Sequence, residues 1–257
     1  MKKTLLLLLA IACAPCRAEP LAERPALSIG FYEAGLEYSD GKGIDADVID
    51  ELARRGGYVF LRQDMPRARI WSQLAGGKLA MATSGVETAE RGRFAEFIPY
   101  IAQSNRALTL DGRYPTPASL LADPAARVAV VRGFAYGNPY DGLIARLRAR
   151  GAVTEVPDTQ SLFLMLARGH AQLVISIPVF YLKYLKENGL EERVRIYDWQ
   201  TQQPPVLGCL VLSKTLLAAT ERAQLRKLVA QMKQDGTLRR IFSRYLPADE
   251  VEKALMF

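Results

Sequence analysis

The sequence predicts an α/β protein of two lobes, each a mainly parallel sheet flanked by helices, and three observations lead there. Apolar runs of strand length alternate with stripes of helical period over the first hundred residues. An extended stretch and the Pro-rich break Tyr114-Pro115-Thr116-Pro117 interrupt that rhythm, after which it restarts. Near the end, Gln202-Gln203-Pro204-Pro205 reads as a second crossing between lobes, followed by one more strand and long amphipathic helices.

Leu27 to Tyr32 reads as a buried strand ending in aromatics, and Ser39-Asp40-Gly41-Lys42-Gly43 as a turn. Ile44, Val48, Ile49, Leu52 and Ala53 form a helical stripe that Gly56-Gly57 stops. Tyr58 to Leu61 reads as a strand, Ala68 to Ala75 as a helix stopped by Gly76-Gly77, and Met81 to Thr83 as a third strand. Asn105 to Leu110 is extended. The restarted rhythm places strands at Val128–Val131, Val153–Val156, Leu173–Ile177 and Val194–Tyr197. Helices are expected at Pro139–Arg150, Ser161–Arg168 and Pro178–Asn188. Strand Leu207–Leu212 then leads to helices Leu216–Gln234 and Thr237–Tyr245.

The first eighteen residues follow the order of a secretory signal: Lys2 and Lys3, the apolar run Leu5–Ala12, then Cys16-Arg17-Ala18. That run is too short to span a bilayer. Cleavage after Ala18 implies a periplasmic chain with Cys209 as its only cysteine, hence no internal disulfide; lipidation at Cys13, in Ala10-Ile11-Ala12-Cys13, is the alternative. Without the signal the net charge drops from +7 to +4, too mild and dispersed to argue for nucleic acid. At 257 residues and 49% apolar composition, the chain can bury a core without staples.

Leu74 to Arg91 runs from a helix end through a short apolar strand into a small-residue turn and one arginine. Exposed backbone N–H groups beside a guanidinium suit a carboxylate. Arg91, Ser84 and Gly85 are therefore candidate ligand-binding residues; the plainer readings are a turn and an Arg91–Glu87 pair on a helix. Tyr32 and Tyr38 flank the first turn and either line the cleft or fill the core. Phe134 and Tyr136 sit at a helix entry, where N–H groups collect. Trp71 reads mainly as packing, with ligand stacking the alternative, and Glu33 and Glu37 as exposed loop acids, the alternative being that either supplies the contact for a cationic group of the ligand. His170 is the only histidine, so no zinc set and no Cys–His pair with Cys209 can be assembled. No phosphate-binding or nucleophile-elbow motif is present, and nothing in the sequence places two carboxylates together. No catalytic residue, metal or cofactor is expected.

Taken in order, Gly43-Ile44-Asp45-Ala46-Asp47-Val48, Leu74 to Lys78, Thr88-Ala89-Glu90-Arg91 with Phe97 and Pro99-Tyr100, Val130-Val131-Arg132-Gly133, and Lys233 to Leu238 with Tyr245 carry a resemblance. The chain resembles the type II periplasmic solute-binding proteins, extracellular family 3, the amino-acid-type receptors of ABC importers. The resemblance covers nearly the whole mature chain. It implies two lobes joined by two crossing strands, with a ligand trapped as they close. Lobe 1 would span about 21–100 plus 207–257 and lobe 2 about 101–205, with hinges near 100–106 and 199–206.

It further implies that Arg91 grips the ligand carboxylate, helped by the preceding turn and by the backbone of Gly133 to Gly137. The acid that usually holds an amine is replaced by Ser176 and Ile177. The segment before Arg91 is about one residue short, so Ser84, Val86 or Glu87 takes the usual hydroxyl position. The expectation is a monomeric receptor that captures a small carboxylate-bearing solute for an inner-membrane ABC permease. The alternatives are a sensory receptor acting on a signalling partner and an enzyme resembling cyclohexadienyl dehydratases.

Overall fold

The computed structural model describes residues 26–137, 140–199 and 204–257. The signal cleavage and Cys13 lipidation expectations, Pro139 at the expected helix start and Gln202-Gln203 of the expected crossing lie outside the described residues.

The first sheet holds β1 (Leu27–Phe31), β2 (Phe60–Asp64), β3 (Met81–Gly85), β4 (Ala95–Gln103) and β10 (Val206–Ser213), in the order β2-β1-β3-β10-β4. The second holds β5 (Arg106–Leu110), β6 (Val128–Val131), β7 (Val153–Val156), β8 (Leu173–Ser176) and β9 (Val194–Tyr197), in the order β7-β6-β8-β5-β9. In each sheet one strand opposes the other four: β10 in the first and β5 in the second. Both are the strands by which the chain arrives from the other lobe. Only two residues separate β4 from β5.

The helices α1 (Ile44–Gly56), α2 (Arg67–Ala75), α7 (Ala219–Gln234), α8 (Thr237–Phe242) and α9 (Ala248–Ala254) cover the first sheet. The helices α4 (Tyr140–Ala149), α5 (Thr159–Ala167) and α6 (Pro178–Glu187), with the short α3 (Pro117–Ala122), belong to the second lobe. The strand-and-helix alternation expected from the sequence is present, with β4, α3 and α9 added to it. β2 begins at Phe60, not Tyr58, because Tyr58 closes the stop of α1: its N–H donates to Ala53 O after Gly57 turns left-handed, at φ 64°. β2 is also the exposed edge of its sheet, so Arg62, Gln63 and Asp64 carry no apolar signal. The Pro115-Thr116-Pro117 break starts α3: Thr116 caps it, with its Oγ1 accepting from Ser119 N–H and Ser119 Oγ accepting from Thr116 N–H, and Pro117 occupies the first turn.

The lobes touch across the loop between β1 and α1. Leu36 N–H donates to Val179 O of α6 at 2.7 Å, and Lys183 Nζ pairs with Glu33 at 3.1 Å. Gly35 makes this approach possible. It has φ 61°, and a Cβ there would lie 2.5 Å from Val179 O. Gly35→Ala is therefore expected to cost about 1–3 kcal/mol through backbone strain and the clash together. It should also push the lobes apart; an unchanged melting temperature and an unchanged small-angle scattering profile would refute this account.

Candidate functional site

The turn that ends β3 is held from behind. Ser84 adopts φ 48°, the left-handed region that a non-glycine residue occupies only when its surroundings hold it there. Its Oγ donates to the Asp45 carboxylate at 2.9 Å, and its N–H donates to the Tyr100 hydroxyl at 3.0 Å. Tyr100 in turn donates to Asp45 Oδ1 at 2.6 Å. Asp45 is buried in the first turn of α1, where the helix N-terminus favours a negative charge. Burial nevertheless raises its pKa to about 6, with the Tyr100 and Ser84 hydroxyls opposing the rise.

Glu37 lies beside this group. It is 2% exposed, not the exposed loop acid expected, and accepts from Gln103 Nε2. Burial first, then the Asp45 charge, hold its carboxyl well above the ordinary value near 4.5. The structure thus brings two buried carboxyls together, which no spacing in the sequence suggested. The signal that could have found Asp45 is its position on α1: it lies four residues before Ile49 and seven before Leu52, on the apolar stripe.

The front of the turn faces the cleft. Tyr32 OH donates to Ser84 O at 3.1 Å, and Arg67 Nη2 reaches the same oxygen at 3.3 Å. The Arg67 guanidinium lies 4.5 Å from the Tyr32 ring centroid and 5.0 Å from that of Phe134, which comes from the other lobe. Its Nε is buried without a hydrogen-bond partner. Arg67 opens α2, an end of the helix where the dipole disfavours a cation, so helix stability does not explain it.

Arg91 begins a 3-10 turn over residues 91–93. Its Nη1 donates to Val86 O at 2.9 Å and its guanidinium lies 3.8 Å from the Trp71 ring centroid. Burial, and then the nearby Arg67 charge, lower its pKa. Among the described residues no carboxylate lies within 4.0 Å of Arg67 or Arg91, and the simple Arg91–Glu87 pair is not formed.

Three cavities meet at Arg67. A mouth of about 550 Å³ is lined by Arg67, Trp71, Glu90, Arg91 and Arg132, and a second of about 440 Å³ by Tyr32, Tyr38, Asp64, Arg67 and Arg132. Behind them an inner cavity of about 20 Å³ is lined by Tyr32, Glu37, Arg67, Ser84, Gln103 and Phe134, among others. It has room for about one water, so a ligand enters it only if the lobes part.

Of the residues singled out in the sequence, Arg91, Ser84, Tyr32, Tyr38 and Phe134 line one or more of these cavities. Tyr38 stacks on Phe31 at 4.4 Å and donates to Asp64 at 2.6 Å. Three others lie elsewhere. A Cβ on Gly85 would meet Val211 at 2.2 Å and the Trp71 ring at 3.1 Å, so its bareness serves packing. Tyr136 is buried in the second lobe and its hydroxyl accepts from Val131 N–H. Ser176 is buried in β8 with its Oγ unpartnered, while the next residue, Ile177, lines the inner cavity. The open register before Arg91 resolves by burial: Ser84 presents its hydroxyl inward to Asp45, Val86 supplies a carbonyl, and Glu87 is exposed. Arg67, Gln103 and Asn105 enter the cavity linings without having been singled out as ligand contacts, and Glu37, read as a loop acid or a contact for a cationic group, lines the inner cavity. Cys209 is buried in β10, which pushes its thiol up to about 12 and leaves it no nucleophilic role.

The model of the bacterial extracellular solute-binding proteins, family 3, matches residues 32–248. No curated protein matches the sequence. Among solved structures, the chain is similar to the GluR0 ligand-binding core from Nostoc punctiforme in complex with L-glutamate: TM-score 0.70, 17% identity, covering 86% of this chain and 99% of that one. It is similar to an ancestral arginine-binding protein bound to arginine, with TM-score 0.70, 21% identity and coverage of 88% and 100%. It is also similar to a histidine kinase sensor domain with similarity to periplasmic binding proteins, with TM-score 0.70, 15% identity and coverage of 87% and 97%. At these identities the likeness is one of fold.

Proposed function

Because the chain belongs to the bacterial extracellular solute-binding proteins, family 3, we propose that it is a periplasmic receptor, monomeric and without catalysis of its own, for a small carboxylate-bearing solute. It captures the solute between its lobes and delivers it to an inner-membrane ABC importer. The observation that carries this reading is the mouth lined by Arg67 and Arg91, two half-buried guanidiniums with no carboxylate within 4.0 Å among the described residues. A partly desolvated, unpaired cation costs free energy that an incoming anion recovers.

Isothermal titration against amino acids, dicarboxylates and small peptides tests the reading, together with native mass spectrometry of the protein as purified. A bound small acid is expected. Failure of every candidate, with no carried acid in the mass spectrum, would overturn it. The likeness to a histidine kinase sensor domain favours a second reading, in which the closed receptor docks on a signalling partner. Co-purification of the ligand-loaded protein with a permease or with a sensor kinase separates the two.

A further inference from the structure

We propose that the ligand of this cleft carries two anionic groups and no ammonium, and that Arg67 and Arg132 grip it from opposite lobes in addition to Arg91. The inference rests on the receptor reading above and narrows its substrate class.

The charge balance of the larger mouth is one-sided. Arg67, Arg91 and Arg132 line it against a single acid, Glu90. A monocarboxylate leaves two of the three guanidiniums uncompensated, and a zwitterion brings its own cation into the same field. The volume of about 550 Å³ is that of a whole small-molecule site, well beyond one carboxylate.

Arg67 has unused capacity. A guanidinium offers five N–H donors, and among the described residues the one hydrogen bond this one makes is the 3.3 Å contact to Ser84 O, with Nε buried and unpartnered. Its guanidinium lies 4.5 Å from the ring centroid of Tyr32 on its own lobe, a contact that does not depend on the position of the second lobe. Arg132, from the turn after β6, is only weakly engaged. Its acid partner is Glu155 at 3.9 Å, with both side chains largely exposed, a pair of little worth in water.

The acids near the cleft are engaged elsewhere or exposed. In the inner cavity the second lobe contributes Phe134, Ile177 and Phe180 and no acid among the described residues. Glu37, the acid of the inner cavity, already accepts from Gln103 Nε2, and burial and then the Asp45 charge raise its pKa well above the ordinary value, so it is a poor site for a cation. Across Arg67, in the second mouth, Glu33 pairs with Lys183, Asp64 accepts from Tyr38 and Asp158 caps α5 through Ser161 N–H; Asp40 stands on an exposed turn.

The test is titration of the purified protein with succinate, glutarate and adipate, beside L-glutamate, L-glutamine and L-arginine. At least one dicarboxylate should bind about tenfold or more tightly than either L-glutamine or L-arginine, and glutarate should exceed L-glutamate. Arg67→Gln and Arg132→Gln should each weaken that dicarboxylate about tenfold or more; Arg132 is exposed, so its variant remains informative if Arg67→Gln melts early. Binding of the amino acids in preference to the dicarboxylates would overturn the inference and leave the receptor reading standing. So would a dicarboxylate affinity indifferent to both substitutions. Silence of the entire panel, with no acid carried by the purified protein, would remove both.

Discussion

Arg91→Ala is expected to weaken binding of the anionic ligand tenfold to more than a hundredfold while leaving the fold intact. A charge-assisted, forked contact to a carboxylate is worth about 1.5–3 kcal/mol, and alanine removes all of it. The side chain has structural work as well: it stacks on Trp71 and ties down Val86 O. Losing a cation–π contact costs about 0.5–2 kcal/mol, but the substitution also relieves the repulsion between Arg91 and Arg67. The net effect on the melting temperature should therefore be small beside the effect on affinity. Arg91→Lys keeps the charge and loses both the fork and the planar stack, so an intermediate affinity is expected. Calorimetry on the three proteins decides: equal affinities would move the ligand away from Arg91.

The second large effect is an inverted response to acid. For Asp45 the folded-state pKa is about 6 against an ordinary 3.8. Between those values the folded chain holds a proton that the unfolded chain has released, so stability rises as pH falls through 6 and is lost again as pH rises. Glu37 shifts in the same direction for the same reason, burial beside another carboxyl. Together they should make the protein about 1–3 kcal/mol more stable at pH 5 than at pH 7.5. Groups with the opposite sign act lower. Arg54 and Arg55 hold Glu51 down to about 2, a contribution that starts to fade only as pH drops below the ordinary glutamate value of 4.5. Urea midpoints across pH 5–7.5 would show the trend, and Asp45→Asn should flatten it. A wild-type midpoint that falls on acidification over that range would sink the account.

How far the sequence reached depends on which side of a surface each residue presents. β1, β6 and β8 were legible because both their faces are covered, leaving uninterrupted apolar runs such as Val128-Ala129-Val130-Val131. β2 was misplaced because an edge strand with exposed polar residues has no such signature. In the site, Ser84 and Arg91 stood out as a turn and its cation, since that geometry is local. Glu37 stood out only as a loop acid that could meet a cation, and its burial was hidden, because nothing near it in sequence reveals that Gln103, 66 residues away, closes over it. Gly85 and Tyr136 looked like ligand contacts by type and position, yet one is bare to admit Val211 and Trp71 and the other supports β6. Arg67 was passed over because its value comes from Phe134 on the opposite lobe, a contact that sequence spacing does not encode.

The chain passes between the lobes twice, through the short span from β4 to β5 and again from β9 to β10. One tether would let the lobes swivel in any direction. The ends of the two tethers pair in each sheet, Gln103 with Val206 and Ala107 with Tyr197, so a rotation of the proposed receptor's lobes is expected to follow one axis, like a door on a pair of pins. In the proposed receptor each swing would then return Arg132 to the same place opposite Arg67 and Arg91, so the search for the bound arrangement would run along one angle, with little orientational entropy left to lose at capture.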